Sequence, residues 1–224
     1  MAQPDLVALT NVSRRFRTPS GEVVVALDAV EVSIPAESLT VIAGPSGSGK
    51  STLLGLINCT DRADDGEVFI DGLDVGRLSR STRRRLRRTT IGSVLPAPSE
   101  NLLDRFDAAD NVRWVAQLCD RLAPDVDALF ARLDLTGSEH KSVQQLSGGE
   151  QQRVAIAAVM AGMPTIIAAD EPTASLDRVS AKLVVAALRV AVEAGATVIV
   201  ATHDADVIAA ADQVVHLDHG RIVP

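Results

Sequence analysis

Gly44-Pro45-Ser46-Gly47-Ser48-Gly49-Lys50-Ser51-Thr52 stands between the apolar run Leu39-Thr40-Val41-Ile42-Ala43 and a leucine-rich segment that begins at Leu53. Three glycines, one lysine and paired hydroxyls match the phosphate-loop pattern G-x-x-x-x-G-K-[ST]. Glycines let successive backbone N–H groups turn inward into an anion nest. The helix expected after the loop aims its positive end at the same point. Lys50 offers a point charge to the outer phosphates, and Ser51 offers a hydroxyl to a magnesium ion. A glycine-rich turn is the bland alternative. The position after a predicted strand and before a predicted helix favours the phosphate reading.

The 224 residues suffice for a sizeable core, with 46% hydrophobic and 23% charged residues, as in ordinary globular proteins. Aromatic residues are only 2%, so the apolar mass is Ala, Val, Leu and Ile, which suits a parallel sheet covered by helices. A net charge of −7 does not favour nucleic acid as a partner. Cys59 and Cys119 lack any neighbouring ligand pattern and read as buried free thiols of a reducing compartment. Met1-Ala2-Gln3-Pro4-Asp5 has no signal-peptide character, and the most apolar stretch, 154–169, is short and broken by Gly162, Pro164 and Thr165. No membrane-crossing segment is expected.

Outward from the loop, residues 6–43 read as strands, with Val23–Leu27 and Val30–Ile34 as two short β-branched runs after the turn Pro19-Ser20-Gly21. Asp64-Asp65-Gly66 precedes the alternating strand Glu67–Ile70, which closes a small, largely antiparallel sheet. Residues 77–88 carry Arg77, Arg80, Arg83, Arg84, Arg85, Arg87 and Arg88 with no acidic residue. They read either as an anionic-ligand patch or as a solvated helix facing an acidic neighbour; without interleaved aromatics for base stacking, the second is preferred. A helical insertion follows, with patterns over 108–122 (Val112, Val115, Leu118 and Leu122 spaced as one face) and 125–133. From Val154 the chain alternates helix and strand again: an apolar helix, the strand 165–169, a helix over 180–194, the strand 197–201 and a last hairpin turning at Asp218-His219-Gly220. The fold class is therefore α/β: a mainly parallel, P-loop NTPase sheet with an N-terminal antiparallel β subdomain and a helical insertion. One domain over 1–224 is expected, with 1–95 and 160–224 as core and 96–159 as the helical part.

Asp170 and Glu171 end an apolar strand, where open α/β sheets place ligands. A carboxylate there holds magnesium and its neighbour polarises a water. In Leu146-Ser147-Gly148-Gly149-Glu150-Gln151-Gln152-Arg153, Ser147 and two glycine amides precede a helix, a second set of donors for a phosphate; standing alone it would read as a helix N-cap. His203 follows the last buried strand. His140, His216 and His219 are scattered, without metal-ligand spacing.

These segments, with Ile166-Ile167-Ala168-Ala169-Asp170-Glu171-Pro172-Thr173, Ser175-Leu176-Asp177 and Ala201-Thr202-His203-Asp204, occur in the order and spacing of an ABC-type ATPase, and the resemblance covers nearly the whole chain. The chain most resembles the branch serving lipoprotein-release, macrolide-export and cell-division-type permeases. The resemblance implies ATP and Mg²⁺ as cofactors and a head-to-tail dimer in which Ser147 to Gly149 of one copy cap the γ-phosphate on the other copy's loop. It implies that Gly44 to Thr52 cradle the phosphates, with Lys50 on the β/γ-phosphates. Ser51 and Asp170 would serve magnesium, Glu171 the attacking water, and His203 the γ-phosphate. Asp177 would communicate across the dimer, and Phe16 would stack on adenine. The expected function is an ATPase subunit that drives a separate membrane permease, attached to the cytoplasmic face of the membrane through it. A soluble ABC ATPase acting on nucleic acid and a nucleotide-binding regulatory module are the alternatives.

One departure stands beside the loop. The family's usual glutamine after the strand 91–95 is replaced by Pro96, which has neither a side-chain acceptor nor an N–H. Glu100 or Asn101 in the lengthened loop is expected to reach the metal instead, or turnover and coupling to be weak. Ala36 and Ala158 stand where a glycine and an arginine are usual.

Overall fold

The apolar run before the phosphate loop is β3 (Leu39–Ala43), a central strand with all five residues buried. In the computed structural model, which describes residues 5–223, both faces of this strand are covered. Leu39, Val41 and Ala43 enter one core, and Ile42 enters the other. The same alternation runs through β7 (Ile166–Asp170) and β8 (Thr197–Thr202). Uninterrupted apolar strands are what a parallel sheet with two covered faces requires.

The chain begins with β1 (Asp5–Arg17) and β2 (Val23–Pro35), and β3 leads through the phosphate loop into α1 (Lys50–Ile57). Next come β4 (Asp65–Ile70), β5 (Leu73–Asp74), α2 (Arg80–Thr89) and β6 (Ile91–Val94). The helical segment holds α3 (Ala108–Leu118), α4 (Val126–Arg132) and the start of α5 (Gly148–Ala161). After β7 come α6 (Arg178–Glu193), β8, α7 (Ala205–Ala209), β9 (Gln213–Asp218) and β10 (Arg221–Val223). Six strands run in the order β10-β9-β3-β8-β7-β6, parallel except for β10, and four form the antiparallel sheet β2-β1-β4-β5. One core packs α3, α5 and α6 against the parallel sheet; the other packs α1 and the antiparallel sheet against its opposite face.

Three sequence expectations change in detail. The runs 23–27 and 30–34 are one strand, interrupted by a bulge in which Ala29 has φ 52 and its N–H donates to Ser13 Oγ at 3.0 Å. The helix expected over 108–122 stops at Leu118, because Asp120 turns left-handed (φ 57), and Leu122 is 95% exposed rather than part of the buried stripe. Cys59 is buried as expected, but Cys119 is only half-buried; both are free. The reading of Met1 to Pro4 falls outside the described residues. No helix among the described residues is long and apolar enough to cross a membrane.

Candidate active site

Strands β3, β8, β7 and β6 are neighbours with their carboxyl ends on one edge, so the loops after them meet there. The phosphate loop is held by close backbone approach. A Cβ on Gly49, the N-cap of α1 at φ 106, would stand 2.4 Å from Ala26 O, and one on Gly44 would stand 2.1 Å from Leu217 O. Any side chain there would push the loop off β2 and β9. Gly220 N–H ties the loop's far side by donating to Ser48 O at 2.9 Å. Lys50 is 6% exposed; its ammonium donates to Gly44 O (2.9 Å) and Pro45 O (3.0 Å) and so points back across the loop it follows.

Asp170 ends β7 opposite the first turn of α1, where Ser51 Oγ donates to Asp170 Oδ1 at 3.2 Å. Burial pushes the Asp170 carboxyl up, the Ser51 hydrogen bond opposes this, and the Glu171 charge adds to it. A hydroxyl and a carboxylate oxygen side by side are hard donors suited to Mg²⁺, which takes few protein ligands and completes its shell with phosphate and water. Among the described residues no group of three or more His, Cys, Asp or Glu side chains forms a dedicated metal cage.

Glu171 has φ 43, a left-handed conformation that costs a non-glycine residue about 1–3 kcal/mol. Its N–H still donates to Ala201 O at 2.8 Å, prolonging the pairing of β7 with β8. The twist sends the carboxylate back over the end of β8. There Thr202 Oγ1 donates to Oε2 at 2.9 Å, while His203 Nδ1 lies 3.0 Å and Lys50 Nζ 3.8 Å from Oε1. Thr202 is fully buried, and its hydroxyl also accepts from Asp204 N–H (3.1 Å). Asp204 in turn takes a 2.6 Å bond from Thr173 and caps α7. Sequence reasoning did not assign roles to Thr202, Thr173 or Asp204; a hydroxyl directly before His203 was the signal available.

Ser147 caps α5 in a reciprocal box: its Oγ accepts from Glu150 N–H (3.3 Å), and its N–H donates to Glu150 Oε2 (2.8 Å). Lys141 Nζ donates to the other oxygen, Oε1, at 2.8 Å, and this bond, with those from Ser147, holds the Glu150 carboxyl down at about 2. Ser147 and Gly148 are exposed; Gly149 is buried against α6, where an added Cβ would lie 2.6 Å from Ser180 Cβ. Ser147 to Gly149 make no hydrogen bond to this chain's own phosphate loop among the described residues, so these two anion cradles are separate. Asp177 caps α6, accepting from Val179 N–H, Ser180 N–H and Ser180 Oγ, so its carboxylate is already engaged within the chain.

Phe16 pairs with Val24 on β2, two residues from the Ala26 carbonyl that Gly49 approaches. Phe16 is 41% exposed, with the Arg14 guanidinium 4.5 Å from its ring centroid. Beyond β6, neither Glu100 nor Asn101 makes a side-chain hydrogen bond to Asp170 among the described residues. The Asn101 amide closes the loop on itself, accepting from Leu95 N–H (2.7 Å) and donating to Leu95 O (3.0 Å) and Ala97 O (3.2 Å). Glu100 lines a groove of ≈ 360 Å³ with Arg88, Leu95 and Leu118.

Residues 27–174 match the protein family described as ABC transporter. The macrolide export ATP-binding/permease protein MacB of Burkholderia pseudomallei (strain K96243) is 40% identical over 223 residues, which are 97% of this chain and 34% of that protein. The lipoprotein-releasing system ATP-binding protein LolD of Anaeromyxobacter dehalogenans (strain 2CP-C) is 41% identical over 203 residues, 88% of this chain and 84% of that protein. The chain thus spans about a third of the MacB relatives and most of LolD. The solved dimer of the ATP-binding cassette MJ0796 in a post-hydrolysis state, bound to ADP and Pi, superposes with a TM-score of 0.83 at 33% identity over 97% of each chain. With the phosphate loop, the acidic strand end and the capped glycine pair in one α/β fold, the chain belongs to the ABC transporter family, as an ATPase cassette.

Proposed function

We propose that the chain binds Mg-ATP at the carboxyl edge of its parallel sheet, hydrolyses it as a dimer with a second cassette, and so drives a membrane permease. The observation that carries this reading is the Glu171 carboxylate. It is fixed by Thr202 and His203 and lies 3.8 Å from Lys50, so acceptor and cation share one small space. Loop amides and Lys50 bind the phosphates. Ser51 and Asp170 hold Mg²⁺, which when bound neutralises phosphate charge. Glu171 accepts a hydrogen bond from the attacking water and orients it, and His203, 74% exposed, turns from Glu171 to the outer phosphate. The work of the protein is positioning and charge stabilisation, with no covalent intermediate.

Ser147 and the amides of Gly148 and Gly149 are assigned to the partner's phosphate, because Ser147 and Gly148 stand exposed and none of the three bonds its own loop among the described residues. Asp177 works in the dimer as the fixed cap that seats α6 under Gly149. Phe16 is assigned to the adenine face. The names of the relatives, an ATP-binding/permease protein and a lipoprotein-releasing ATP-binding protein, support a permease as the driven partner. The groove lined by Leu95, Leu118 and Arg88 has the apolar floor and basic rim that an amphipathic permease helix would fit. Attachment at the cytoplasmic face follows from such a partner. Steady-state ATPase assays with Mg-ATP, and co-purification of a permease, test the two halves separately. Absence of Mg-ATP binding by calorimetry overturns the whole reading.

A further inference from the structure

Apart from Arg88 on the groove rim, the arginines of residues 77–88 have no role above, and they do not all face acidic neighbours. Arg77 pairs with Asp74 and Glu67, and Arg88 with Asp120. Others turn toward a cleft of ≈ 740 Å³ between α2 and the loop that follows α1. We propose that this cleft is a binding site for the phosphate group of a small anion or lipid headgroup, held by Arg62, Arg80, Arg83, Arg84 and Arg87.

None of these five guanidiniums makes an ion pair among the described residues. Arg87 donates to Cys59 O at 2.7 Å, Arg62 to Leu78 O at 3.0 Å and Arg83 to Asp61 O. Arg80 and Arg84 are exposed and make no side-chain hydrogen bond among the described residues. The carboxylate on the cleft wall, Asp61, is gripped at both oxygens by Arg14 at 2.9 Å. Arg83 is the buried anchor: 6% exposed, with its Nε excluded from solvent and lacking any partner among the described residues. Burial lowers its pKa, so the fold holds this charge against a desolvation cost.

The carboxyl end of α1 attracts cations, but it is worth about half an elementary charge, which one guanidinium satisfies. The remaining excess sits on a chain whose net charge is −7, so general attraction of anions does not explain it. Planar guanidinium forks converging on one cleft match the paired oxygens of a phosphoryl group, which accepts several charge-assisted bonds at once.

The test uses protein saturated with MgADP, so that the phosphate loop is occupied, and titrates inorganic pyrophosphate by calorimetry. One site per chain is expected. Arg80→Ala/Arg84→Ala should weaken binding about tenfold or more with ATPase activity unchanged, and Arg84→Glu should do the same. No binding by the wild type, or equal binding by the double variant, overturns the proposal. Phosphatidylglycerol vesicles identify the source: sedimentation that pyrophosphate reverses assigns a lipid headgroup, whereas pyrophosphate binding without sedimentation assigns a soluble phosphate. Vesicle binding that neither pyrophosphate nor the double variant affects, or an oligonucleotide that displaces pyrophosphate at lower concentration, also overturns it.

Discussion

Glu171 Oε1 and His203 Nδ1 stand 3.0 Å apart, joining the end of β7 to the end of β8. The contact places the carboxylate by its neighbours rather than by its own rotamer, since Thr202 holds the second oxygen. Replacing Glu171 by Gln keeps the size and one acceptor for Thr202 but removes the charge to which we assign the attacking water. We expect kcat to fall about 10²-fold or more while ATP affinity is retained. The same variant should accumulate an ATP-bound dimer on size-exclusion chromatography. Wild-type turnover by Glu171→Gln would remove this residue from the chemistry.

Gly149 packs against Ser180 so closely that a methyl group cannot enter without moving α5 away from α6. Gly149→Ala should cost about 1–3 kcal/mol in urea unfolding and lower ATPase activity by displacing Ser147. Ser180→Gly removes the opposing Cβ, so Gly149→Ala/Ser180→Gly should regain much of both losses. If the double variant is no better than Gly149→Ala alone, the glycine serves a reason other than this contact.

The Glu150 carboxyl is held from its ordinary 4.5 down to about 2, first by Lys141 and then by the Ser147 N–H. Between those values the folded chain binds fewer protons at this group than the unfolded chain, so acidification favours unfolding. The stabilisation is complete above about pH 4.5 and is lost as pH falls through about 2. Glu150→Gln should therefore lower the urea midpoint at neutral pH and narrow its gap to wild type at about pH 3. A gap independent of pH would mean that the capping carboxylate is not what stabilises the start of α5.

What could be read in the sequence was local. The strand before Gly44, the loop and α1 are contiguous, and the apolar strands ending at Asp170 and Thr202 carry their burial in composition. Contacts made across the fold were silent. Nothing near Thr202 announces Glu171 as its acceptor until β7 and β8 lie side by side. Ser180 becomes the neighbour of Gly149 only when α6 packs on α5. The stop at Leu118 depends on a left-handed aspartate that helical spacing does not reveal. The arginine segment shows the same limit: its composition was plain, but which guanidiniums find carboxylates is decided by β4, β5 and the turn after α3, which bring Glu67, Asp74 and Asp120 to Arg77 and Arg88.

The loop at Pro96 offers the last prediction, because two explanations for the missing glutamine give different results. If Asn101 were a substitute metal ligand, its amide would have to be available. Instead it donates and accepts across the loop, supplying Leu95 with the partners that a continued strand would have supplied. Asn101→Ala should therefore raise hydrogen exchange over residues 95–101 and leave the Mg²⁺ dependence of ATP binding unchanged. Because Leu95 is exposed, water replaces the lost partners, and global stability should fall by less than about 1.5 kcal/mol. A weakened Mg²⁺ dependence would instead make Asn101 a ligand after rearrangement of the loop. The complementary change, Pro96→Gln, restores an amide at the carboxyl end of β6, beside the strand that carries Asp170. It should raise kcat at saturating Mg-ATP. An unchanged kcat would mean that the step limited in this protein is not the one the glutamine serves.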